Sequence, residues 1–296
     1  MISVNAKRCQ HRSGADHEVI IYENRMETKV KKSYFSRKQL MIPYAVFLCF
    51  FVVLPLFVVL YYAFTNGDGN VSIHNFVRFF QNSKAIGTLV YSLAVALLTT
   101  LFCLLLAYPA AYFMAKGVFR KNHTFLMLFV LPMWINFTLR ITAMKEILSL
   151  VEGNLAMHPF LNTIICMVYD FLPFMILPLY NTIVRLDDSL LEAAHDLGAT
   201  KRQTFFKVVL PLSIPGIISG ITMVFLPSMT NYVVLDMVYN STYIMGSLIG
   251  SYFSAYDWHN GSVISIILLV IILLITLISD KFTGQSANER QGGAIL

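Results

Sequence analysis

The sequence predicts an all-α polytopic membrane protein with six transmembrane helices, and three observations carry that prediction. The chain is 57% hydrophobic and only 13% charged, with a mean hydropathy of +0.66, against roughly 25% charged residues in ordinary soluble domains. Its apolar residues fall into six runs, each long enough to cross a hydrocarbon layer about 30 Å thick, which takes roughly 20 helical residues. Its basic residues lie between those runs and not on one aromatic-interleaved face, so the net charge of +6 does not point to nucleic acid.

The expected spans are Leu40 to Phe64, Ile86 to Ala115, Thr124 to Leu148, Phe160 to Val184, Val209 to Asn231, and Ser262 to Ser279. The third and fourth are interrupted by polar residues and prolines. The sixth is an Ile/Leu/Val run closed by Asp280 and Lys281, with Trp258 as its interfacial anchor. Residues 1–39 read as a basic cytoplasmic tail without an apolar run, residues 40–281 as the membrane domain, and residues 282–296 as a second cytoplasmic tail. The tail suggests disorder, and Met26, followed by Lys29, Lys31 and Lys32, is an alternative start to a genuine extension.

Orientation follows from the basic residues, which short cytoplasmic loops retain. Nine lie before the first span, Lys116, Arg120 and Lys121 follow the second, and Arg185, Lys201, Arg202 and Lys207 follow the fourth. With Lys281 and Arg290, 18 of the 22 lie on one side, which places both termini in the cytoplasm. The opposite side keeps Arg78, Lys84, Arg140 and Lys145.

The longest cytoplasmic loop, about 187–211, reads as two short helices. Ser189 and Glu192 have capping-box spacing, Gly198 suits the left-handed residue that ends a helix, and Thr200 and Gln203 repeat the box before a second helix that runs toward Pro211. On the first helix Leu190, Ala194 and Leu197 share a face, and Ala193 and Ala194 leave the backbone open to close approach. Caps alone occur in any loop. The full string is more specific: Glu192-Ala193-Ala194, Gly198 four residues on, then Val208-Val209-Leu210-Pro211 resembles the EAA loop of ABC import permeases, with Val208 where isoleucine is usual. The flanking Leu172-Pro173-Phe174-Met175-Ile176-Leu177-Pro178 and Ile214-Pro215-Gly216 segments resemble the spermidine/putrescine branch, first-subunit type. Thr142-Ala143-Met144 departs from that branch's aromatic-flanked pattern.

The resemblance implies a type I importer permease fold in a bacterial inner membrane. It also implies an ATPase subunit dimer, a second homologous permease and an extracytoplasmic solute-binding protein as partners. It gives Glu192, Ala193, Ala194, Leu197, Gly198, Leu210 and Pro211 a role in coupling to the ATPase. The cargo it implies is a polyamine. No phosphate-binding Gly-rich loop is present, so ATP and Mg belong to the ATPase subunits and no cofactor is expected on this chain. No nucleophile or paired metal-ligand spacing appears, so catalysis is not expected.

For a cationic cargo, Asp170 is the notable residue, since a carboxylate at mid-membrane costs roughly 3 kcal/mol on insertion scales. With Tyr169 and Trp134 it would offer carboxylate and aromatic faces to an ammonium. The alternative, that Asp170 pairs with Arg140 or caps a broken helix, stands beside it. Asp236 and Asp257, with Asn231, Tyr239 and Tyr243, lie in an outward segment holding acidic but no basic residues, either a cation funnel or ordinary loop charges. An anionic cargo, an ion-coupled carrier and a membrane scaffold are the rival readings. The first would favour basic cavity residues such as Arg140, and the second predicts an internal repeat.

Overall fold

The computed structural model describes residues 37–66, 69–117, 123–238 and 243–292, which are helical apart from short connections and one bridge between Thr65 and Val71. The expectations for the basic tail and Met26 lie outside the described residues, as do Arg120, Lys121 and Tyr239. The chain divides into two units between Phe57 and Val58. In the first, the helix begun at Arg37 passes through a π-helical turn at Cys49–Val53, and Phe47 stacks on Phe51 at 4.6 Å. That helix forms the first span, α1 (Met41–Phe64).

The second unit holds the last residues of α1, from Val58, and then the short amphipathic α2 (His74–Gln81). Its Asn75 donates to the Thr65 carbonyl at 2.9 Å and so closes the preceding loop. Asn82 then caps α3 (Ser83–Lys116) by accepting from Lys84 and Ala85 backbone amides, which starts the second span three residues earlier than its apolar run.

Three helices form the centre: α3, α6 (Pro159–Val184) and α9 (Ile214–Thr230). Their shared core includes Val95, Cys103, Ala107, Ala111, Met175, Ile176, Leu179 and Val224. Two glycines one turn apart bring α9 onto α6. A methyl group at Gly216 would stand 2.5 Å from Thr182 Oγ1 and 3.0 Å from the Pro178 carbonyl, and one at Gly220 would meet Met175 Sδ. Lipid supplies no hydrophobic drive between helices, so close backbone approach through small residues supplies the attraction instead.

The interruption expected in the third span is present and that expected in the fourth is not. The third is two helices, α4 (Thr124–Trp134) and α5 (Phe137–Glu152), bent by 98°. Pro132 lacks an amide hydrogen, and Asn136 accepts from the Thr138 amide at 2.9 Å, starting a new helix where the first would have continued. The fourth, expected to be interrupted by Pro173 and Pro178, is one continuous helix. Each proline removes a single donor, and α9 packs across this stretch. The fifth combines α8 (Lys201–Leu212) with α9 at a 62° bend. It begins eight residues before Val209 because Thr200 caps it. The sixth is α12 (Trp258–Gly292), preceded by α10 (Tyr232–Val238) and α11 (Met245–Ser254). Among the described residues, four helices are long and apolar enough to cross a membrane alone, and each bent pair taken as one span makes up to six.

Candidate functional site

The loop after the fourth span folds into a helix, a tight turn and a second helix. The first, α7 (Asp188–Asp196), is capped by Asp187, which accepts from the Ser189 amide at 3.0 Å. This corrects the expected Ser189/Glu192 capping box. The carboxylate two residues earlier reaches the free amides first and its charge favours the positive end of the helix. Glu192 is thereby left exposed.

Gly198 ends α7 at φ +80°. The Gly198 amide donates to the His195 carbonyl at 2.9 Å and the Ala199 amide to Ala194 at 3.0 Å, the two bonds of a Schellman turn. His195 Nδ1 lies 3.1 Å from the Ala199 carbonyl and must be the donor, since a carbonyl only accepts. The Thr200/Gln203 capping box is formed, with the Thr200 amide donating to Gln203 Oε1 at 2.9 Å. The outer face presents Glu192, Ala193, His195, Asp196 and Gly198, with Leu197 89% exposed; Ala194 and Leu210 are half-buried and Pro211 is exposed. The exposed leucine, alanine and glycine lie among Glu192, His195 and Asp196, which leaves a shallow face of mixed polarity with little bulk.

The inner side of this segment is tied to α3. Lys116, at the end of α3 and 5% exposed, pairs with Asp188 at 2.7 Å and also donates to the Leu186 carbonyl. Phe205, in a π-helical turn of α8, meets Tyr108 and Tyr112 edge-on at 5.6 and 5.5 Å. Below it Tyr108 and Ser213 join hydroxyls at 2.7 Å. Sequence reading counted Lys116 only as a topology charge and missed Tyr108, Phe205 and Ser213. Its sole signal was a lysine closing an apolar run.

Within the membrane region, Arg140 Nη2 lies 2.7 Å from Asp170 Oδ1, with their side chains 6% and 4% exposed. Of the two readings left open for Asp170, this arrangement is the ion pair. Tyr169, Trp134 and Asp170 do not share a pocket. Neighbouring helix positions point about 100° apart, and Tyr169 faces a cavity of about 390 Å³ lined also by Phe102, Leu106, Met144, Ile165 and Leu172, while Trp134 is 87% exposed at the break of the third span. Asp236 is exposed on α10. Asp257 accepts from the Asn260 amide and side chain, so it serves the start of α12. Asn231 ends α9 and Tyr243 is exposed. Among the described residues no three His, Cys, Asp or Glu side chains stand together as metal ligands would.

Residues 35–286 match the family described as binding-protein-dependent transport system inner membrane component. The chain is 38% identical over 253 residues to the spermidine/putrescine transport system permease protein PotB of Haemophilus influenzae, covering 78% of this chain and 88% of that one. It is 39% identical over 209 residues to the PotB protein of Escherichia coli K12, covering 64% and 75%. Among solved structures, a chain of a bacterial alginate ABC transporter in complex with alginate pentasaccharide-bound periplasmic protein superposes with a TM-score of 0.67 at 16% identity, covering 90% of this chain and 95% of that one. A chain of the MetNI methionine ABC transporter gives 0.54 at 18% identity, covering 69% and 99%. At such identities the likeness is one of fold. The chain therefore belongs to the binding-protein-dependent transport system inner membrane component family, as a multi-pass permease subunit of a bacterial ABC importer and not an enzyme.

Proposed function

We propose that this chain is one of two homologous permease subunits which, with an ATPase dimer and an extracytoplasmic binding protein, import polyamines. The observation that carries the coupling half of this reading is the capped segment from Asp187 to Leu212. Its outer face is shallow and exposed, and its inner side is fastened to α3 by Lys116, Tyr108 and Phe205. A surface that moves Glu192, Ala193, Ala194, Leu197 and Gly198 would move α8 with them, including Leu210 and Pro211, and through the bend would move α9. Closure of the ATPase dimer, with ATP and Mg bound there, supplies that displacement as a rigid-body switch. Both termini lie on the same cytoplasmic face as this segment, a reading supported by the 18 of 22 basic residues on that side.

The cargo rests on the PotB relatives and on the acidic groups available to a cation. Asp170, Tyr169, Trp134 and Asp236 are the candidate contacts along the path, Asp170 as the charge inside the membrane and Asp236 as an exposed carboxylate on α10. Pairing of Arg140 with Asp170 leaves no free basic group there to favour an anion.

The test is uptake of labelled spermidine and putrescine into vesicles holding this chain with the subunits encoded beside it, with and without ATP. ATP-dependent polyamine uptake is expected. Movement of another solute would keep the permease and remove the cargo, and uptake driven by an ion gradient alone would remove the coupling role of the segment.

A further inference from the structure

Arg140, in the second half of the sharper of the two bent spans, is joined to Asp170 of the following span. Arg140 lies in the first turn of α5, directly after the 98° break, whereas Asp170 lies within α6, part of the central core. Both side chains are more than nine-tenths buried, yet the pair is poorly satisfied. Arg140 Nε and Nη1 have no acceptor among the described residues, and Asp170 Oδ1 meets Nη2 at 2.7 Å off the N–H axis, an ion pair without an aligned hydrogen bond. A guanidinium and a carboxylate can instead meet through two parallel bonds. A buried pair repays its desolvation only when the remaining donors are also met. This one is therefore open to exchange by any partner that satisfies either member better.

The chemistry of the pair says which partner suits Asp170. A primary ammonium is a compact point charge that needs only one carboxylate oxygen, whereas the guanidinium fork is misdirected here. A cavity of about 390 Å³ that neither Arg140 nor Asp170 lines lies between the same two helices, bounded by Met144, one turn beyond Arg140 on α5, and by Tyr169 on α6. On that face α5 and α6 are separated by open space and not by packed side chains, so the two helices can part there with little loss of contact.

We propose that Arg140 is a tethered cation that occupies Asp170 until an ammonium group of the cargo displaces it, and that this exchange frees α5 from α6. Arg140 is thus a gating residue which sets how much cargo is needed, and the pair is a latch between α5 and α6. The inference rests on the polyamine reading above.

The experiment is ATP-driven spermidine uptake by the whole reconstituted importer, measured against spermidine concentration, with assembled complex quantified for each variant. Asp170→Asn is expected to raise the half-saturating concentration about tenfold or more, the effect of losing one partner of a buried charge contact. Arg140→Gln is expected to lower it, and Arg140→Lys to lower it less, because the competitor is removed or weakened. The charge-reversed pair R140D/D170R is expected to assemble without restoring uptake. Equal rises in Arg140→Gln and Asp170→Asn, or uptake restored by the reversed pair, would overturn the proposal and leave a structural brace. Should Arg140→Gln fail to assemble, the lysine variant decides, and a rise in its half-saturating concentration overturns the latch. Absence of polyamine uptake by the unaltered importer is a different result, which removes the cargo reading and the latch with it.

Discussion

The hydroxyls of Tyr108 and Ser213 lie 2.7 Å apart in a buried position, and Tyr108 is the donor, because Ser213 Oγ already gives its one hydrogen to the Leu210 carbonyl at 2.9 Å. Tyr108 belongs to α3 and Ser213 is the residue at which α8 turns into α9. One hydrogen bond thus ties the core to the bend through which any motion of the exposed segment must pass.

Tyr108→Phe is expected to loosen that tie with little loss of packing. A net hydrogen bond contributes about 1 kcal/mol, roughly a fivefold change in a two-state balance. The ratio of uptake to ATP hydrolysis in the reconstituted importer should fall by about that factor. An unchanged ratio would show that the bend moves independently of α3.

Gly198 tests conformation apart from sterics. A β-carbon there would meet nothing within 4 Å, but φ is +80°, so Gly198→Val suffers the left-handed backbone penalty of about 1–2 kcal/mol and no clash. Transport should fall, and the loss of complex stability read by thermal unfolding in detergent should not exceed that penalty. Gly198→Asn should be milder, since asparagine tolerates this region. Equal loss in both would point to the surface and not the turn.

Gly216 and Gly220 separate two kinds of close contact. At Gly216 the added methyl meets Thr182 near its backbone and the Pro178 carbonyl, whereas at Gly220 it meets the flexible end of Met175. Gly216→Ala should destabilise the complex by about 1–3 kcal/mol, the usual cost of overpacking, and Gly220→Ala by less. Thermal unfolding of the purified importer orders the two, and the reverse order would contradict this packing of α9 on α6.

Lys116 and Asp188 should not be equivalent. Lys116 is 5% exposed and Asp188 35%, so Asp188→Asn strands a buried ammonium on the Leu186 carbonyl, while Lys116→Met leaves a carboxylate that water can reach. The asparagine variant should therefore be the less stable, by about 1–2 kcal/mol, because an uncompensated buried charge is the costlier remainder. Unfolding measurements on both single variants and the double variant give the coupling directly.

What the chain states by itself is local or periodic. Apolar runs of 18 to 30 residues, the lysine and arginine asymmetry, the Thr200/Gln203 box and the left-handed Gly198 were legible because each depends on neighbours within a few positions. Ser189 was misread as a cap because two oxygens competed for the same amides, and Asp187, with its charge and earlier position, made that bond. The prolines of the fourth span promised a break that helix packing suppressed, while the interruption read in the third span is present, made where Pro132 and Asn136 end one helix and start the next. Partners far apart in the chain were decided only by the tertiary structure. Asp170 with Arg140, Lys116 with Asp188 and Tyr108 with Ser213 span 30, 72 and 105 positions. Which face of a buried helix meets which neighbour follows from close packing of the whole bundle, and no local pattern encodes it.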